Sequence, residues 1–286
     1  MTSGCMLRYN SPQRTPAALN ISMPPRLPSL FPFVLHLLML CAVFLLPHRA
    51  HAMPTVTVLA DSSMALAISE LAQAYAKEAG VMVGASFATP EEQQQQIEEG
   101  GEADILITTR QNWLSDLQTR GLVDIYSRAV VAKNRLALVS KPGGAIAPRS
   151  DGIFPLSEML KLFSWEPSFV VANPDMLDEG RFSKEALRNL GVSGDLEEYT
   201  LYVRSRTQMK SLVEEQGMIA LMLSSEVSDN PALMMIDLLP ETSHSPIEYH
   251  SVVIAGDNME QARKFMAFLA SDKAKDILRS HGFFAN

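Results

Sequence analysis

The sequence predicts an α/β protein of two lobes, each a mainly parallel sheet flanked by helices. Strand-like and helix-like stretches alternate from about residue 55 onward, the pattern of a parallel sheet covered by helices. The break Lys141-Pro142-Gly143-Gly144 separates one such series from a second. At 286 residues and 47% hydrophobic content, the chain is long enough and apolar enough to fill two cores.

The first element is Val56-Thr57-Val58-Leu59-Ala60, a strand running into Asp61-Ser62-Ser63. Met64, Ile68, Leu71 and Tyr75 then recur on one helical face, and Gly80 supplies the stop. A strand that feeds a helix through small hydroxyl residues leaves unpaired N–H groups at the positive end of a helix dipole. That is a seat for an anion, although Asp61 or Ser62 can equally cap the helix.

Residues 81–87 read as a second strand, and Thr89-Pro90-Glu91-Glu92 as a helix start with Thr89 as N-cap, Pro90 at N1 and Glu92 closing a capping box. Gln93 to Gln96 are expected on an exposed face of that helix, which Gly100-Gly101 ends. Residues 103–107 give a third strand, and Trp113, Leu114 and Leu117 mark the next helix. Ala129 to Val139 is a single apolar, strand-like run. Beyond the break come strands at 168–172, 199–203 and 218–223, with helices at 184–190 and 207–216 between them. A strand at 248–255 and helices at 259–270 and 273–280 close the chain. Residues 53–135 with 246–286 are expected to form one lobe, and 136–245 the other.

Residues 1–52 contain four Arg and no Asp, Glu or Lys, whereas the rest holds 20 basic against 32 acidic side chains, a balance of −12. That acidity excludes a nucleic-acid footprint, which needs clustered Lys and Arg. The basic start, the apolar core Leu30 to Leu46 and the Ala50-His51-Ala52 end describe a secretory signal peptide, cleaved after Ala52. A retained anchor is the alternative. Both cysteines, Cys5 and Cys41, fall in this leader, so the exported chain has no disulfide.

No dinucleotide loop, P-loop, G-x-S-x-G elbow or H-E-x-x-H helix is present, and no cofactor is expected. His244, His250 and His281 match no zinc spacing and read as surface or packing residues. Ser62 and Ser63 are conceivable nucleophiles of a secreted serine hydrolase, but the sequence shows no base beside them, so no enzyme is expected.

From about Val56 to Phe284 the chain resembles the periplasmic molybdate-binding proteins, the solute-binding components of molybdate ABC importers. The resemblance rests on Val56–Met64, Gly80 to Phe87, Gln96-Ile97-Glu98-Glu99-Gly100 leading to Ala103-Asp104-Ile105, Asn112-Trp113, Lys184-Glu185-Ala186-Leu187 with Leu190-Gly191, Leu212-Val213-Glu214 and His281-Gly282-Phe283. It implies a type II periplasmic binding protein: two lobes joined by two crossing strands, with the ligand cleft between them. It further implies a periplasmic monomer that binds a small anion and presents it to an inner-membrane ABC permease. In that family, hydroxyls and backbone N–H groups at helix starts hold molybdate or tungstate.

Carried over position by position, the resemblance makes Ser63 the first binding serine, with Ser62 beside it. The second binding serine belongs in the turn of Thr89, where Pro90 has no N–H and Glu91 and Glu92 add negative charge. Each such carboxylate repels a dianion by roughly 1 kcal/mol or more. Glu179 replaces a small residue before Gly180, Arg206 falls at a donor position, and Leu223 replaces a ligand-contacting Tyr. Three readings remain open. Arg206 or Arg204 holds an organic acid or another oxyanion. Glu179 and Arg206 pair and close the pocket, leaving a sensor or partner module without a transport role. Or these charges line a solvated cleft rim.

Overall fold

The structure is a computed structural model that describes residues 55–144, 168–228 and 230–285. The expected leader, residues 1–52, and its cleavage site lie outside the described residues. So do both cysteines.

The first sheet runs β2-β1-β3-β10-β4, from β1 (Thr55–Asp61), β2 (Met82–Ala88), β3 (Ile105–Thr108), β4 (Val123–Asn134) and β10 (Ile247–Ile254). β1 lies parallel to both its neighbours, with Val58 beside Ala85 on one side and Ile105 on the other. β10 is antiparallel to β3 and β4. The second sheet repeats the plan as β7-β6-β8-β5-β9, from β5 (Leu136–Ser140), β6 (Phe169–Ala172), β7 (Thr200–Val203), β8 (Ile219–Leu223) and β9 (Met234–Leu238). β6 is parallel to β7 and β8, and β5 antiparallel to β8 and β9. Residues 52–286 form one compact unit.

Helix α1 (Ala65–Ala79) follows β1 through a 3₁₀ turn, Ser62–Met64. The face expected from its spacing is the buried one: Met64, Ile68, Leu71 and Tyr75 pack on the sheet, and Tyr75 meets the Phe265 ring edge-on at 5.0 Å. Burying each such side chain is worth about 1.5–3 kcal/mol. Gly80 ends α1 with φ +67°, a left-handed position that other residues adopt only under strain. Helix α2 (Pro90–Glu98) has the predicted capping box, with Thr89 and Glu92 bonding each other's backbone. On the other face of the sheet, helix α3 (Gln111–Thr119) buries Trp113, Leu114 and Leu117.

Four expectations need correction. Gln93 is fully buried, not exposed, because its Nε2 donates to the Ile107 carbonyl at 3.0 Å and so ties α2 to β3. The run 129–139 is two strands in two sheets: the chain passes from one to the other at Arg135, with no Gly or Pro to announce it. Helix α4 (Asp178–Asn189) begins six residues before the expected start. Its Gly180, which argues against a helix in the sequence, is required there: a Cβ would lie 2.5 Å from the Ala172 carbonyl oxygen. Strand β9 was not anticipated; it is a short Met-rich edge strand, half buried and without alternation.

The second lobe is completed by α5 (Ser193–Leu196), α6 (Arg206–Gln216) and the short α7 (Ser224–Ser228). Helices α8 (Met259–Leu269) and α9 (Asp272–Ser280) return to the first sheet. Lys133 and Phe284 exchange backbone hydrogen bonds of 2.7 and 2.9 Å, strapping the Phe284 segment across the end of β4.

Candidate functional site

Three element starts converge where the two sheets face each other: the turn after β1, the start of α4 and the start of α6. The anion seat predicted at the first of these is filled by the chain itself. The Asp61 carboxylate accepts from the Ser63 N–H at 2.8 Å and from Ser63 Oγ at 2.7 Å. Ser63 Oγ also meets the Tyr249 hydroxyl at 2.7 Å. Behind it, Asn134 Nδ2 donates to the Tyr249 hydroxyl at 3.3 Å and to Ser225 Oγ at 2.8 Å, so a buried polar chain links Ser63 to the crossover between the sheets.

From the other sheet, Arg206 at the first position of α6 reaches across. Its Nη1 donates to Ser62 Oγ at 2.6 Å and its Nη2 to Glu179 Oε2 at 2.6 Å. Its Nε lies 2.8 Å from Glu226 Oε1, and Nη2 3.8 Å from Asp61 Oδ1. Lys210 Nζ, one turn along, sits 3.5 Å from Glu226. Beside this cluster, Asp178 takes a short hydrogen bond from Thr109 Oγ1 and one of 2.8 Å from Arg110 Nε, a second tie between the sheets. Arg110 also pairs with Glu91.

The electrostatics follow from one guanidinium among three carboxylates. Asp61 is 1% and Glu179 2% exposed, so neither is solvated by water. Burial raises both carboxyl groups above the ordinary range, against the pull of Arg206, and Glu179 is pushed up to about 7 with Glu226 adding to the rise. Burial works against the charge of Arg206 as well, but Glu179, Asp61 and Glu226 outweigh it and raise its pKa, so it stays cationic. Burial, with the Asp61 charge, also raises the Tyr249 phenol, which remains a neutral hydroxyl. Near neutral pH the Glu179 carboxyl therefore binds a proton part of the time beside the cationic Arg206.

Sequence reasoning brings Ser62, Ser63, Glu179 and Arg206 to one point, and the structure places them together. Thr89 stands apart: it caps α2, and its neighbours Pro90 and Glu91 line an outer part of the cleft. The solvated-rim reading fails for Glu179, which is buried, and for Arg206, whose side chain is only 17% exposed, whereas Arg204, Glu91 and Glu92 are exposed. Asp178, Glu226 and Tyr249 were missed as site residues. The only signal for the first was an acidic pair before a glycine, and nothing local marks the other two.

The space left at this point is small. A cavity of about 10 Å³, lined by Asp61, Ser63, Glu179, Arg206, Leu223 and Tyr249 among others, holds roughly one water. Past Thr109 and Phe182, which border both spaces, the cleft widens to a chamber of about 480 Å³. Among the described residues no group of three or more His, Cys, Asp or Glu side chains is placed to hold a metal ion. His244 and His250 are buried, the first against the Phe182 ring, and neither is a hydrogen-bond partner of Ser63.

Two α/β lobes with two crossovers and a polar cleft define a binding protein of the two-lobed extracellular class. The profile of the bacterial extracellular solute-binding protein family matches residues 56–284, and the chain belongs to that family. It is 26% identical over 229 residues to the molybdate-binding protein ModA of Escherichia coli, a match covering 80% of this chain and 88% of that protein. Among solved structures, the periplasmic molybdate-binding protein of Azotobacter vinelandii superimposes with a TM-score of 0.67 at 20% identity, over 81% of this chain and 99% of the other. The tungstate-binding protein TupA of Desulfovibrio alaskensis gives 0.57 at 13% identity, over 82% and 99%. The fold is thus the type II periplasmic binding protein fold. Among the described residues no helix is long and apolar enough to cross a membrane.

Proposed function

We propose that this protein is the exported, non-catalytic solute-binding component of a molybdate-type ABC importer, taking a small anion between its lobes and presenting it to an inner-membrane permease. The observation that carries the reading is the convergence of Ser62, Ser63, Glu179 and Arg206, from both lobes, on one buried point. Arg206 is the group best suited to trade an internal carboxylate for a ligand oxyanion, because its planar fork pairs with either. Such an exchange leaves Glu179 without its partner, so ligand entry is coupled to Glu179 taking up a proton. Residues 53–135 with 246–286 act as one lobe and 136–245 as the other, moving about the crossovers as a hinge. The leader is removed after Ala52, and the mature chain works as a monomer in the periplasm.

A second reading is favoured by the filled seat: a diverged module whose own carboxylates replace the ligand, closed to small anions and serving a partner instead. Thermal unfolding with molybdate, tungstate, sulfate, phosphate and small organic acids separates the two. A ligand at 100 times its Kd adds roughly 2.7 kcal/mol. A shift with any of these anions supports import, and one confined to molybdate and tungstate supports those ligands. Silence across the panel sinks import and leaves the closed module.

A further inference from the structure

We infer that the outer chamber of the cleft is a binding site for a hydroxylated organic anion, such as a hydroxy acid or a sugar phosphate. The inference rests on the solute-binding reading above and names the solute class. While Arg206 stays paired with Glu179, the inner point leaves about 10 Å³, too little for a tetrahedral oxyanion. The adjoining chamber of about 480 Å³ is within the usual size of small-molecule sites.

Its walls come from both lobes. Arg110, Gln111 and Asn112 at the start of α3 face Arg181 and Phe182 of α4. A molecule seated there touches both lobes, as a closure-driving ligand must. The charged donors are two guanidinium groups. Arg110 shares itself between Asp178 and Glu91, but the Glu91 side chain is 54% exposed, and such a pair is worth at most about 1 kcal/mol, so a ligand acid group displaces it cheaply. Arg181 lies over the Phe182 ring at 4.6 Å, contacts Asp178 only at 3.5 Å and has no partner for its Nε.

The remaining wall is equally one-sided. No side chain caps the first turn of α3, where Trp113 also keeps a buried Nε1 without an acceptor. Among the lining residues every unpartnered buried side-chain atom is a donor, which calls for a ligand rich in acceptors. The exposed amides of Gln94, Gln111 and Asn112, with the hydroxyl of Ser245, both give and accept hydrogen bonds, the chemistry that reads sugar or hydroxy-acid hydroxyls.

The test is calorimetric titration of the purified protein with gluconate, citrate, glucose 6-phosphate, molybdate and sulfate, repeated on Arg181→Ala and Ser63→Ala. Thermal melts without ligand check that each variant folds, and Arg181→Lys serves as a milder second variant. Binding of gluconate, citrate or glucose 6-phosphate, weakened roughly tenfold to a hundredfold in Arg181→Ala, is expected. Tighter binding of the phosphate than of the carboxylates identifies the acid group as a phosphate, and the reverse order a carboxylate. Molybdate binding that depends on Ser63 and ignores Arg181, with no organic anion bound, overturns the inference while leaving the import reading intact. Organic-anion binding indifferent to Arg181 overturns it too, and silence with all five anions overturns both.

Discussion

Replacing Glu179 by Gln removes one of three carboxylates around Arg206 while keeping the side chain's size and an oxygen for Nη2. In the wild type, Glu179 is raised from 4.5 to about 7. A carboxyl group whose pKa is higher in the folded than in the unfolded state binds more protons when folded. Its contribution is therefore whole below about pH 4.5 and is lost as the pH climbs through 7. At 1.36 kcal/mol per unit, the loss is up to about 3 kcal/mol. Urea denaturation from pH 4.5 to 8.5 should show the wild type losing that stability, whereas Glu179→Gln stays flatter and becomes the more stable form at the alkaline end. Parallel curves, with a constant gap between the two proteins across the range, would refute the reasoning.

Other perturbations have equally definite outcomes. Arg206→Met leaves Asp61, Glu179 and Glu226 without their common cation and should cost about 3–5 kcal/mol near neutral pH, less at pH 5, read by the same urea titration. Gly180→Ala forces a Cβ against the backbone at Ala172 and Asn173 and should lower stability by about 1–3 kcal/mol, while Gly256→Ala, with open space around it, serves as a near-neutral control in thermal melts. Thr89→Ala breaks the capping box of α2 and should cost about 0.5–2 kcal/mol by chemical denaturation.

The parts legible in the sequence were those decided by neighbours along the chain. The buried stripe Met64, Ile68, Leu71 and Tyr75, the Gly80 stop and the Thr89–Glu92 box each depend on contacts within one or two helical turns, and residue type alone specifies them. What was hidden depends on distant partners. Gln93 looks like its exposed neighbours Gln94 to Gln96 until Ile107 offers it a carbonyl. Arg135 looks like part of a strand, because the crossover needs no special backbone and is fixed by which sheet each side pairs with. Asp61 reads as a helix cap, and it is one; that the same carboxylate also faces Arg206, far along the chain and on the other lobe, has no local sign. The pairing of Glu179 with Arg206 could be posed as an alternative from residue type and position, whereas Glu226 lies within a short helix and Tyr249 within a strand, with no local sign of a site.

The strap formed by Lys133 and Phe284 lies one residue from Asn134, where the polar chain from Ser63 ends and the chain leaves the first sheet. Phe284 is 42% exposed, and both native cysteines precede residue 53. A Phe284→Cys substitution would thus carry a fluorophore fixed by its backbone to the crossover itself, turning the protein into an optical gauge of its own hinge angle.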